Sequence, residues 1–304
     1  MKITITGATG FIGSSLIRNL LDSGHAIHIL GRRRPASLPE SVGFSNWKST
    51  NEEPPPESLS GADAVIHLAG EPVAQRWTPE VKKRIRASRV EGTRQLVNAL
   101  STQSRRPAVL VSGSAIGFYG SRGDEVLTED SDAGDDFLAR VTNAWENAAE
   151  LAEALGIRVV LLRTGLVLGK GGGALAKMLP PFRFGLGGRL GSGKQWMSWI
   201  HIDDLIRLIL FSIGNAAVRG PVNGTGPQPV TNAQFTKELA AVLHRPAVLP
   251  VPRFALKLAL GEMANAVLGS QRVIPRVAQS AGFEFQYPQL RGALERLLAE
   301  GSAQ

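Results

Sequence analysis

The pattern of apolar and polar residues changes period twice within the first 30 residues. Lys2 to Thr6 is a short, β-rich stretch, and after a glycine-containing turn the apolar residues recur at the spacing of one helix face. Ser23 and Gly24 end that helix, and Ala26 to Leu30 has the composition of a second strand joined by a right-handed crossover. The opening of the chain therefore predicts a βαβ unit.

Strand-like and helix-like patterns continue to alternate up to Gly165. Further strands are predicted at 63–68, 108–112 and 158–162, with one near Phe44 to Trp47, and helices are predicted at 79–100 and 137–155. Residues 34–57 are polar and contain Pro54 to Pro56, which is typical of a surface connection. Alternating strands and helices predict a parallel sheet covered on both faces. The predicted fold class is therefore α/β, with a Rossmann-type doubly wound sheet.

The character of the sequence changes after Gly165. Glycines cluster between 169 and 193, and Trp199 to Asp204 leads into an apolar helix that is predicted to end at Ile213. Prolines punctuate the remainder, where helices are predicted at 232–243 and around 254–268. We expect a Rossmann domain over residues 1–165, to which 195–225 return, and a smaller C-terminal cap formed by most of 166–304.

Composition excludes several kinds of chemistry. The chain of 304 residues has no cysteine, which rules out disulfides, thiolate metal sites and a cysteine nucleophile. Its five histidines show no pair at ligand spacing on a helix face, so no metal is predicted. The sequence lacks an apolar run of the ~20 residues that a bilayer span requires, and it lacks a secretory signal, so we expect a cytoplasmic protein without a membrane partner. The oligomeric state is left open.

The formal net charge of +8 favours an anionic partner. The basic helix around Arg84 lacks the interleaved aromatic residues of a single-strand-binding surface, so nucleic acid is not expected. Gly191 to Lys194 resembles a triphosphate-binding loop, but Gln195 follows where that motif needs Ser or Thr. We interpret this glycine-rich stretch as a flexible lid over a cleft.

The pattern Gly7-x-x-Gly10-x-x-Gly13 directly follows a predicted strand and opens a predicted helix. The first glycine allows a tight turn, the second lets the backbone approach a pyrophosphate, and the third lets the helix pack on the strand. The helix N-terminus then faces the anion. A purely structural βα turn is the alternative, but the position inside a βαβ unit favours dinucleotide binding.

The end of the second strand favours NADP(H) over NAD(H). An acidic residue at that position would accept hydrogen bonds from the adenine ribose and would repel a 2′-phosphate. Here the strand ends in Gly31 and is followed by Arg32 and Arg33, with Arg32 the best single candidate. A guanidinium can bind a phosphate through two hydrogen bonds, so these arginines predict NADP(H); a solvated basic loop is the alternative.

Several other segments resemble the short-chain dehydrogenase/reductase superfamily, in its extended, epimerase-like branch. His67 to Gly70 is similar to the signature at the end of its fourth strand, and Leu162 to Gly165 and His201 to Asp204 are similar to its later landmarks. Matches such as Ser88 to Thr93 and Trp199 to His201 extend the resemblance over nearly the whole chain, to an atypical YfcH-like group of sugar-nucleotide epimerase-like proteins.

The resemblance and the glycine turn together imply which residues contact the cofactor. They are Gly7, Thr9, Gly10, Phe11, Ile12, Gly13, Arg32, Arg33, Leu68, Ala69, Gly70, Arg89 and Leu166. Arg89 stands where the superfamily has an asparagine, and its guanidinium could contact a cofactor phosphate. A solvated helix face is the alternative for Arg89.

The proton relay of the superfamily is missing. That relay is a tyrosine followed four residues later by a lysine, which lowers the pKa of the tyrosine. The chain has two tyrosines, Tyr119 and Tyr287, and neither has a lysine four residues later. By position relative to Glu146, the tyrosine and the lysine should fall at Leu138 and Thr142.

Any catalysis must therefore use other groups. Ser114 matches the serine that hydrogen-bonds a substrate carbonyl, and Glu71 and His201 are candidate acids or bases. For each of the three, a structural role is the alternative. We expect an NADP(H)-dependent oxidoreductase or epimerase-like enzyme that acts on a small polar substrate such as a nucleotide sugar. A non-catalytic NADP(H) sensor or scaffold is the competing hypothesis, and a basic interaction module is a third.

Overall fold

A computed structural model describes residues 1–36 and 38–299. The strands are β1 (Lys2–Thr6), β2 (Ala26–Gly31), β3 (Gly43–Asn46), β4 (Ala64–His67), β5 (Val109–Ala115), β6 (Val126–Leu127), β7 (Arg158–Thr164), β8 (Leu166–Leu168), β9 (Trp196–Met197), β10 (Trp199–His201), β11 (Gly220–Gly224), β12 (Val230–Thr231) and β13 (Arg272–Val273). The helices are α1 (Phe11–Asp22), α2 (Pro79–Ser101), α3 (Phe137–Glu150), α4 (Gly173–Arg183), α5 (Ile202–Gly214), α6 (Asn232–Leu243), α7 (Arg253–Leu260), α8 (Met263–Leu268), α9 (Arg276–Ser280) and α10 (Leu290–Ala299).

In the described part of the chain, seven parallel strands form the central sheet in the order β3–β2–β1–β4–β5–β7–β11. The strand order reverses between β1 and β4, and the C-terminal ends of these two strands therefore flank the ligand-binding crevice of an open α/β sheet. The predicted fold class is confirmed. β11 belongs to the sheet although it comes from the segment after residue 195.

The alternation of Ile and Thr along β1 directs its side chains to opposite faces of the sheet. Ile3 and Ile5 are fully buried in the core that also contains apolar residues of α1 and α5. Thr4 and Thr6 face the layer of α2 and α3, where the Thr4 hydroxyl donates a hydrogen bond to the carbonyl oxygen of Ser58 at 2.8 Å. The sheet is therefore covered on both faces.

A third core joins the C-terminal helices. α4, α6 and α10 pack around Trp199 and Phe235, which are both fully buried. α10 is absent from the sequence-based prediction, although its buried residues follow helical spacing: Leu290, Ala293, Leu294 and Leu297. No helix within 1–36 and 38–299 is both long enough and apolar enough to cross a bilayer.

Other elements also differ from the sequence-based prediction. β5 continues to Ala115, so Ser114 lies within the strand. α3 ends at Glu150, and a 3₁₀ turn continues the chain to Leu155. The helix predicted around 254–268 is split into α7 and α8 at Gly261, whose φ of 61° is incompatible with a right-handed helix. α4 lies in the glycine-rich stretch, where no helix is predicted.

Candidate functional site

The turn between β1 and α1 is shaped by close backbone contacts. Gly7 has a φ of 74°, and a Cβ atom at this position would lie 2.5 Å from the carbonyl carbon of Leu68. A Cβ atom on Gly13 would lie 2.3 Å from the carbonyl oxygen of Gly7. Because real Cβ atoms do not approach backbone this closely, both positions require glycine. The turn is thereby held directly against the end of β4.

The N-terminus of α1 is open to an anion. The helix begins at Phe11, and no side chain in the described residues caps it at Gly10. No acidic residue stands in its first turn, so its free N–H groups and the helix dipole favour negative charge at this end. Thr9 and Gly10 are exposed beside it, while Ile12 is partly buried. This arrangement is suited to bind a pyrophosphate.

The Phe11 ring, at the start of α1, packs against the glycines that precede and begin α4. Cβ atoms on Gly169 and Gly172 would lie 2.5 Å and 2.3 Å from ring atoms of Phe11, and Gly173 also faces the ring. The glycines therefore allow the chain between β8 and α4 to pack closely around an aromatic side chain. The sequence pattern alone indicates only a loop here.

The arginines after β2 differ in their contacts. Arg34 donates hydrogen bonds to the carbonyl oxygens of Pro39 and Val42, at 2.8 and 2.9 Å. The Asn46 side chain donates to the carbonyl oxygen of Arg32 at 3.0 Å, which fixes the backbone there. The side chains of Arg32 and Arg33 are exposed and have no hydrogen-bond or ion-pair partner among residues 1–36 and 38–299. Two guanidinium groups are therefore available beside the cleft.

A buried hydrogen-bond chain supports the end of β4. Ala69 N–H donates to Thr6 Oγ1 at 3.1 Å, and Thr6 Oγ1 lies 2.7 Å from Nδ1 of His67. On the other side, His67 Nε2 lies 3.1 Å from Thr93 Oγ1, whose proton is donated to the carbonyl oxygen of Arg89. Nε2 must therefore carry a proton, and the Thr6 hydroxyl can donate to Nδ1 when the ring is neutral. Burial, together with the charge of Arg89, lowers the pKa of His67 to about 4.

The neutral His67 ring predicts a loss of stability in mild acid. Its pKa in the folded chain lies below its ordinary value of 6.5, so between these values the unfolded chain binds a proton that the folded chain does not. The free energy of unfolding should therefore fall as the pH is lowered from about 6.5 to about 4, by on the order of 3 kcal/mol from this group. His67→Gln should remove that part of the pH dependence in urea unfolding.

His244 provides the control, because it is exposed at the end of α6. Its backbone is left-handed, with a φ of 50°, a conformation that asparagine tolerates well. His244→Asn should leave the slope of stability against pH as in the parent chain. An unchanged slope in His67→Gln would show that His67 takes up its proton equally in the folded and unfolded chains, which would contradict the lowered pKa of the folded state.

Arg89 lies under the loop that follows β4. Its guanidinium donates to the carbonyl oxygen of Glu71 at 3.0 Å and stacks over the Trp145 ring at 5.1 Å from the ring centroid. A Cβ atom on Gly70 would lie 3.1 Å from the Arg89 guanidinium carbon, so glycine allows this close packing. Burial lowers the pKa of Arg89 to about 10. Arg89 is half-buried at the cleft and not on a fully solvated helix face.

Glu71 is held by its backbone and by its side chain. Its N–H donates to Ser88 Oγ at 2.9 Å, and its carboxylate lies 3.2 Å from the Gln75 amide nitrogen and 3.5 Å from Arg84 Nε. Arg84 is more than half exposed, so the ion pair is weak. The Glu71 carboxylate, which follows the end of β4, therefore has only a weak ion pair.

Ser114 is part of a buried ion-pair network. Its hydroxyl donates to Glu146 Oε1 at 2.5 Å, and Arg163 donates to both carboxylate oxygens of Glu146, at 2.8 and 2.7 Å. Arg163 also donates to the hydroxyl of Tyr119 at 3.1 Å. Burial alone would lower the pKa of Arg163, but its hydrogen bonds and charge interaction with Glu146 raise it. The Ser114 proton is therefore directed at a carboxylate.

The network extends to the end of the sheet. The Tyr119 hydroxyl donates to Asn223 Oδ1 at 2.7 Å, and the backbone N–H of Asn223 donates to Glu129 at 3.0 Å. Burial raises the pKa of Tyr119 to about 12, so its hydroxyl keeps its proton. Tyr119 is thus committed to structural hydrogen bonds on both sides.

The positions expected for the tyrosine and lysine of the relay hold no group of that kind. A Cβ atom on Gly117 would lie 3.2 Å from the Cβ of Leu138, so Leu138 packs directly against the end of β5. The Thr142 hydroxyl donates to the carbonyl oxygen of Leu138 at 2.8 Å. Trp145 lies one turn further along α3, and a Cβ atom on Gly113 would lie 3.0 Å from its ring.

His201 and Leu166 lie on two short strands outside the central sheet. β8 pairs with β10 and brings His201 opposite Leu168, two residues after Leu166. His201 Nδ1 accepts a hydrogen bond from the N–H of Asp203 at 3.1 Å, which caps α5, and the ring stacks on Tyr287 at 3.9 Å between centroids. Leu166 is partly buried. The roles predicted for Ser114, Glu71 and His201 stay predictions.

A cavity of about 260 Å³ lies between the loop that precedes β6 and residues of the segment 192–270. It is lined by Gly123, Asp124, Ser192, Lys194, Gln195, Arg253, Leu268 and Ser270. Asp124 accepts a hydrogen bond from the indole N–H of Trp196 at 2.8 Å. The side chains of Lys194 and Arg253 have no hydrogen-bond or ion-pair partner within the described ranges. The cavity therefore presents two cations that form no ion pair with a described residue, together with the Asp124 carboxylate that is bonded to Trp196.

The stretch interpreted as a lid is tied to its surroundings in this structure. The N–H of Gly191 donates to the carbonyl oxygen of Val251 at 2.9 Å, and the N–H of Ala233 donates to the carbonyl oxygen of Gly193 at 2.8 Å. These bonds hold one wall of the cavity in position.

Comparison with known proteins identifies the family. A family model described as the NAD dependent epimerase/dehydratase family matches residues 3–223, and a model of a domain of unknown function matches residues 251–297. The chain belongs to the NAD dependent epimerase/dehydratase family. The match covers the glycine turn, Arg89 and the Ser114 network, but not the C-terminal segment that contributes Arg253 to the cavity.

Individual relatives support the atypical branch of this epimerase family. The chain is 43% identical over 302 residues to the chloroplastic epimerase family protein SDR39U1 homolog of Arabidopsis thaliana, covering 98% of this chain and 87% of that protein. Human epimerase family protein SDR39U1 (isoform 2), solved with NADPH, has a TM-score of 0.89 at 33% identity, covering 98% of this chain and 99% of that one. The resemblance to an atypical extended short-chain dehydrogenase/reductase is confirmed.

A more distant solved structure shows likeness of the fold alone. UDP-glucuronic acid 4-epimerase from Bacillus cereus, solved with UDP-glucuronic acid and NAD, has a TM-score of 0.80 at 19% identity, and the match covers 98% of each chain.

Two features of the present site are absent from the sequence-based prediction, namely the pairing of Glu146 with Arg163 and the cavity at Lys194. The charges of Glu146, Arg163 and Lys194 are visible in the sequence. Their neighbours in the folded chain are not, because they come from distant segments.

Proposed function

We propose that this epimerase-family chain binds NADP(H) and uses it for hydride transfer with a small polar substrate. The observation that supports this most strongly is the pair of exposed, unpartnered guanidinium groups of Arg32 and Arg33, which follow the end of β2. No acidic residue stands at that end of β2, and the glycine turn lies between the neighbouring strand β1 and α1. A 2′-phosphate offers these groups the counter-charge that the described residues do not. The NADPH in the solved human relative supports the same choice.

The residues of the turn fit such a cofactor. Gly7 and Gly13 admit only a hydrogen as side chain, and the uncapped first turn of α1 offers its N–H groups to a diphosphate. We expect Leu68 to Gly70 to line the cleft beside the dinucleotide and Arg89 to face it from α2. When bound, the cofactor would supply or accept a hydride at its nicotinamide ring.

We propose that the substrate is anionic and binds in the cavity at Lys194 and Arg253. Two cations without partners in one cavity favour a phosphate or carboxylate group on the ligand. A nucleotide sugar has such a group, and UDP-glucuronic acid is the ligand of the distant Bacillus cereus relative. Other anionic polar metabolites satisfy the same chemistry.

Proton handling must differ from that of the superfamily. Since Ser114 directs its proton at the Glu146 carboxylate, its oxygen is left to accept a hydrogen bond. We therefore expect Ser114 to bind a substrate hydroxyl, and not to donate to a carbonyl as the resemblance implies. Glu71 follows the end of β4 and is only weakly paired, and we propose it as the acid or base.

The test of the cofactor assignment removes both free guanidinium groups. Arg32→Ala with Arg33→Ala should weaken NADPH binding about tenfold or more, because a hydrogen bond to a charged group contributes about 1.5 kcal/mol or more, while NADH affinity should stay within about twofold. Arg219→Ala is the matched control, since Arg219 is exposed immediately before β11, at the opposite edge of the sheet. Equal losses for NADPH and NADH would contradict the assignment.

The missing relay favours a second candidate function, a non-catalytic NADP(H) sensor or scaffold. Leu138 and Thr142 supply neither the phenol nor the ammonium group of that relay. NADPH consumption measured against a panel of nucleotide sugars and phosphorylated metabolites separates the two functions. Reproducible hydride transfer that is lost in Arg32→Glu would exclude the sensor, and binding of NADPH without turnover of any compound would favour it.

A further inference from the structure

One surface of the cap exposes large apolar side chains from three segments. Its apolar members are Phe184, Leu186, Val248, Leu249, Phe254 and Leu258. Phe184, Val248, Phe254 and Leu258 are each at least 73% exposed. Apolar side chains scattered singly are normal on a protein surface, but a contiguous group marks an interaction site. We call these six residues, together with the basic residues described below, the basic–apolar face.

The three segments lie side by side. The N–H of Gly191 donates to the carbonyl oxygen of Val251, and the N–H of Val251 donates to the carbonyl oxygen of Arg189, both at 2.9 Å. A Cβ atom on Gly185 would lie 3.4 Å from Pro246, which joins the loop after α4 to the loop after α6. α7 follows that second loop directly. The segments that carry the six apolar side chains are therefore neighbours in the fold.

α7 contributes an unpartnered helix face. No residue of this helix is buried, and Phe254 and Leu258 are one turn apart on its outer side. Lys257 is also exposed between them. An apolar stripe with an adjacent cation is the pattern of a helix that lies in a membrane interface.

The charged residues of the two stretches that carry this face are all basic. Residues 171–202 contain four Lys or Arg and no Asp or Glu, and residues 239–261 contain three Lys or Arg and no Asp or Glu. These two stretches therefore carry seven positive charges, compared with a net charge of +8 for the whole chain. The basic residues of the face are Arg183, Arg189, Arg245, Arg253 and Lys257, all exposed.

We propose that the basic–apolar face docks the protein on an anionic lipid surface. Each Lys or Arg near such a surface contributes about 1 kcal/mol of attraction, and exposed Phe and Leu side chains are stabilised when they leave water for the interface. Arg253 belongs both to this face and to the cavity at Lys194, so docking brings the cavity next to the lipid headgroups. A membrane partner is not expected from the sequence.

The charge argues against a second copy of the chain as the occupant. In a symmetric dimer the same patch meets itself, so the basic residues of one copy would face those of the other. Like charges opposed in this way are destabilising. An anionic lipid surface instead complements both the charge and the apolar side chains.

Sedimentation with lipid vesicles tests the proposal on the full chain. The protein should sediment with vesicles of phosphatidylcholine mixed with phosphatidylglycerol, much less with phosphatidylcholine alone, and less at high salt. Phe254→Ser with Leu258→Ser should weaken partitioning at least about tenfold, since both side chains are mostly exposed and their loss leaves the core intact. Lys257→Glu should weaken binding to the anionic vesicles alone.

Matched controls lie outside the face. Leu151 is 55% exposed after α3, and Leu151→Ser should sediment as the parent chain does. Arg219→Glu makes the same charge change as Lys257→Glu at an exposed position outside the basic–apolar face, and it should have less effect. Equal sedimentation of Phe254→Ser/Leu258→Ser and the parent would overturn the proposal. A dimer of the parent that Lys257→Glu strengthens would overturn it in favour of a second copy.

Discussion

Replacing Gly7 with alanine is expected to weaken NADPH binding about a hundredfold. The new Cβ would lie 2.5 Å from the carbonyl carbon of Leu68 and 2.8 Å from the amide nitrogen of Ala69, both backbone atoms that cannot move aside as a side chain can. The turn must shift, and the amide groups at the start of α1 shift with it. Losing two hydrogen bonds to a charged phosphate costs about 3 kcal/mol, which corresponds to that factor.

Gly24→Ala provides a matched control for this substitution. Gly24 has a φ of 71°, close to the 74° of Gly7, but a Cβ atom there would meet nothing within 4 Å. Both variants carry the backbone strain of a left-handed alanine, on the order of 1 kcal/mol, and only Gly7→Ala has the clash. Calorimetry should therefore find parent-like NADPH affinity in Gly24→Ala. Similar affinities in the two variants would mean that the turn does not hold the cofactor.

Of the substitutions proposed here, replacing Arg163 is expected to lower the free energy of unfolding the most. Arg163→Met leaves the Glu146 carboxylate buried, with the Ser114 hydroxyl as its remaining partner among those observed. Breaking a buried ion pair on one side costs about 3–5 kcal/mol, because an uncompensated charge stays in the interior. Urea unfolding at neutral pH should show this loss, and the double variant Arg163→Met/Glu146→Leu should recover most of it.

The pair between Arg105 and Asp63 serves as the exposed counterpart. Its ion pair is 2.6 Å long, and the Arg105 side chain is 68% exposed. Exposed pairs contribute at most about 1 kcal/mol, so Arg105→Ala should have a small effect. If Arg163→Met cost no more than Arg105→Ala, the network would be too well solvated to fix Ser114.

The parts of the structure that local pattern determines were predictable from the sequence. The turn of Gly7, Gly10 and Gly13 needs only a strand before it and a helix after it, and both were visible in the spacing of apolar residues. The absence of an acid after β2 is likewise a local fact. The sheet follows because strands and helices alternate and crossovers are right-handed.

Features that depend on distant contacts were not predictable in this way. α4 contains Pro180 and Pro181 and begins in a glycine run, yet burial of Leu175 and Phe182 makes it a helix. The glycines at 169 and 172 are needed by the Phe11 ring, which lies far away in the sequence. Sequence position also matched Ser114 to a serine that contacts substrate, without indicating that a carboxylate on α3 takes up its proton.

Calorimetric titration of the parent chain with NADPH and then with NADH tests the central claim most directly. If the turn after β1 holds the diphosphate and Arg32 with Arg33 binds the 2′-phosphate, NADPH should bind at least about tenfold more tightly, and its advantage should shrink as salt is added. Equal or tighter binding of NADH would contradict the assignment of the arginines. Binding of neither dinucleotide would contradict the function proposed for the whole cleft.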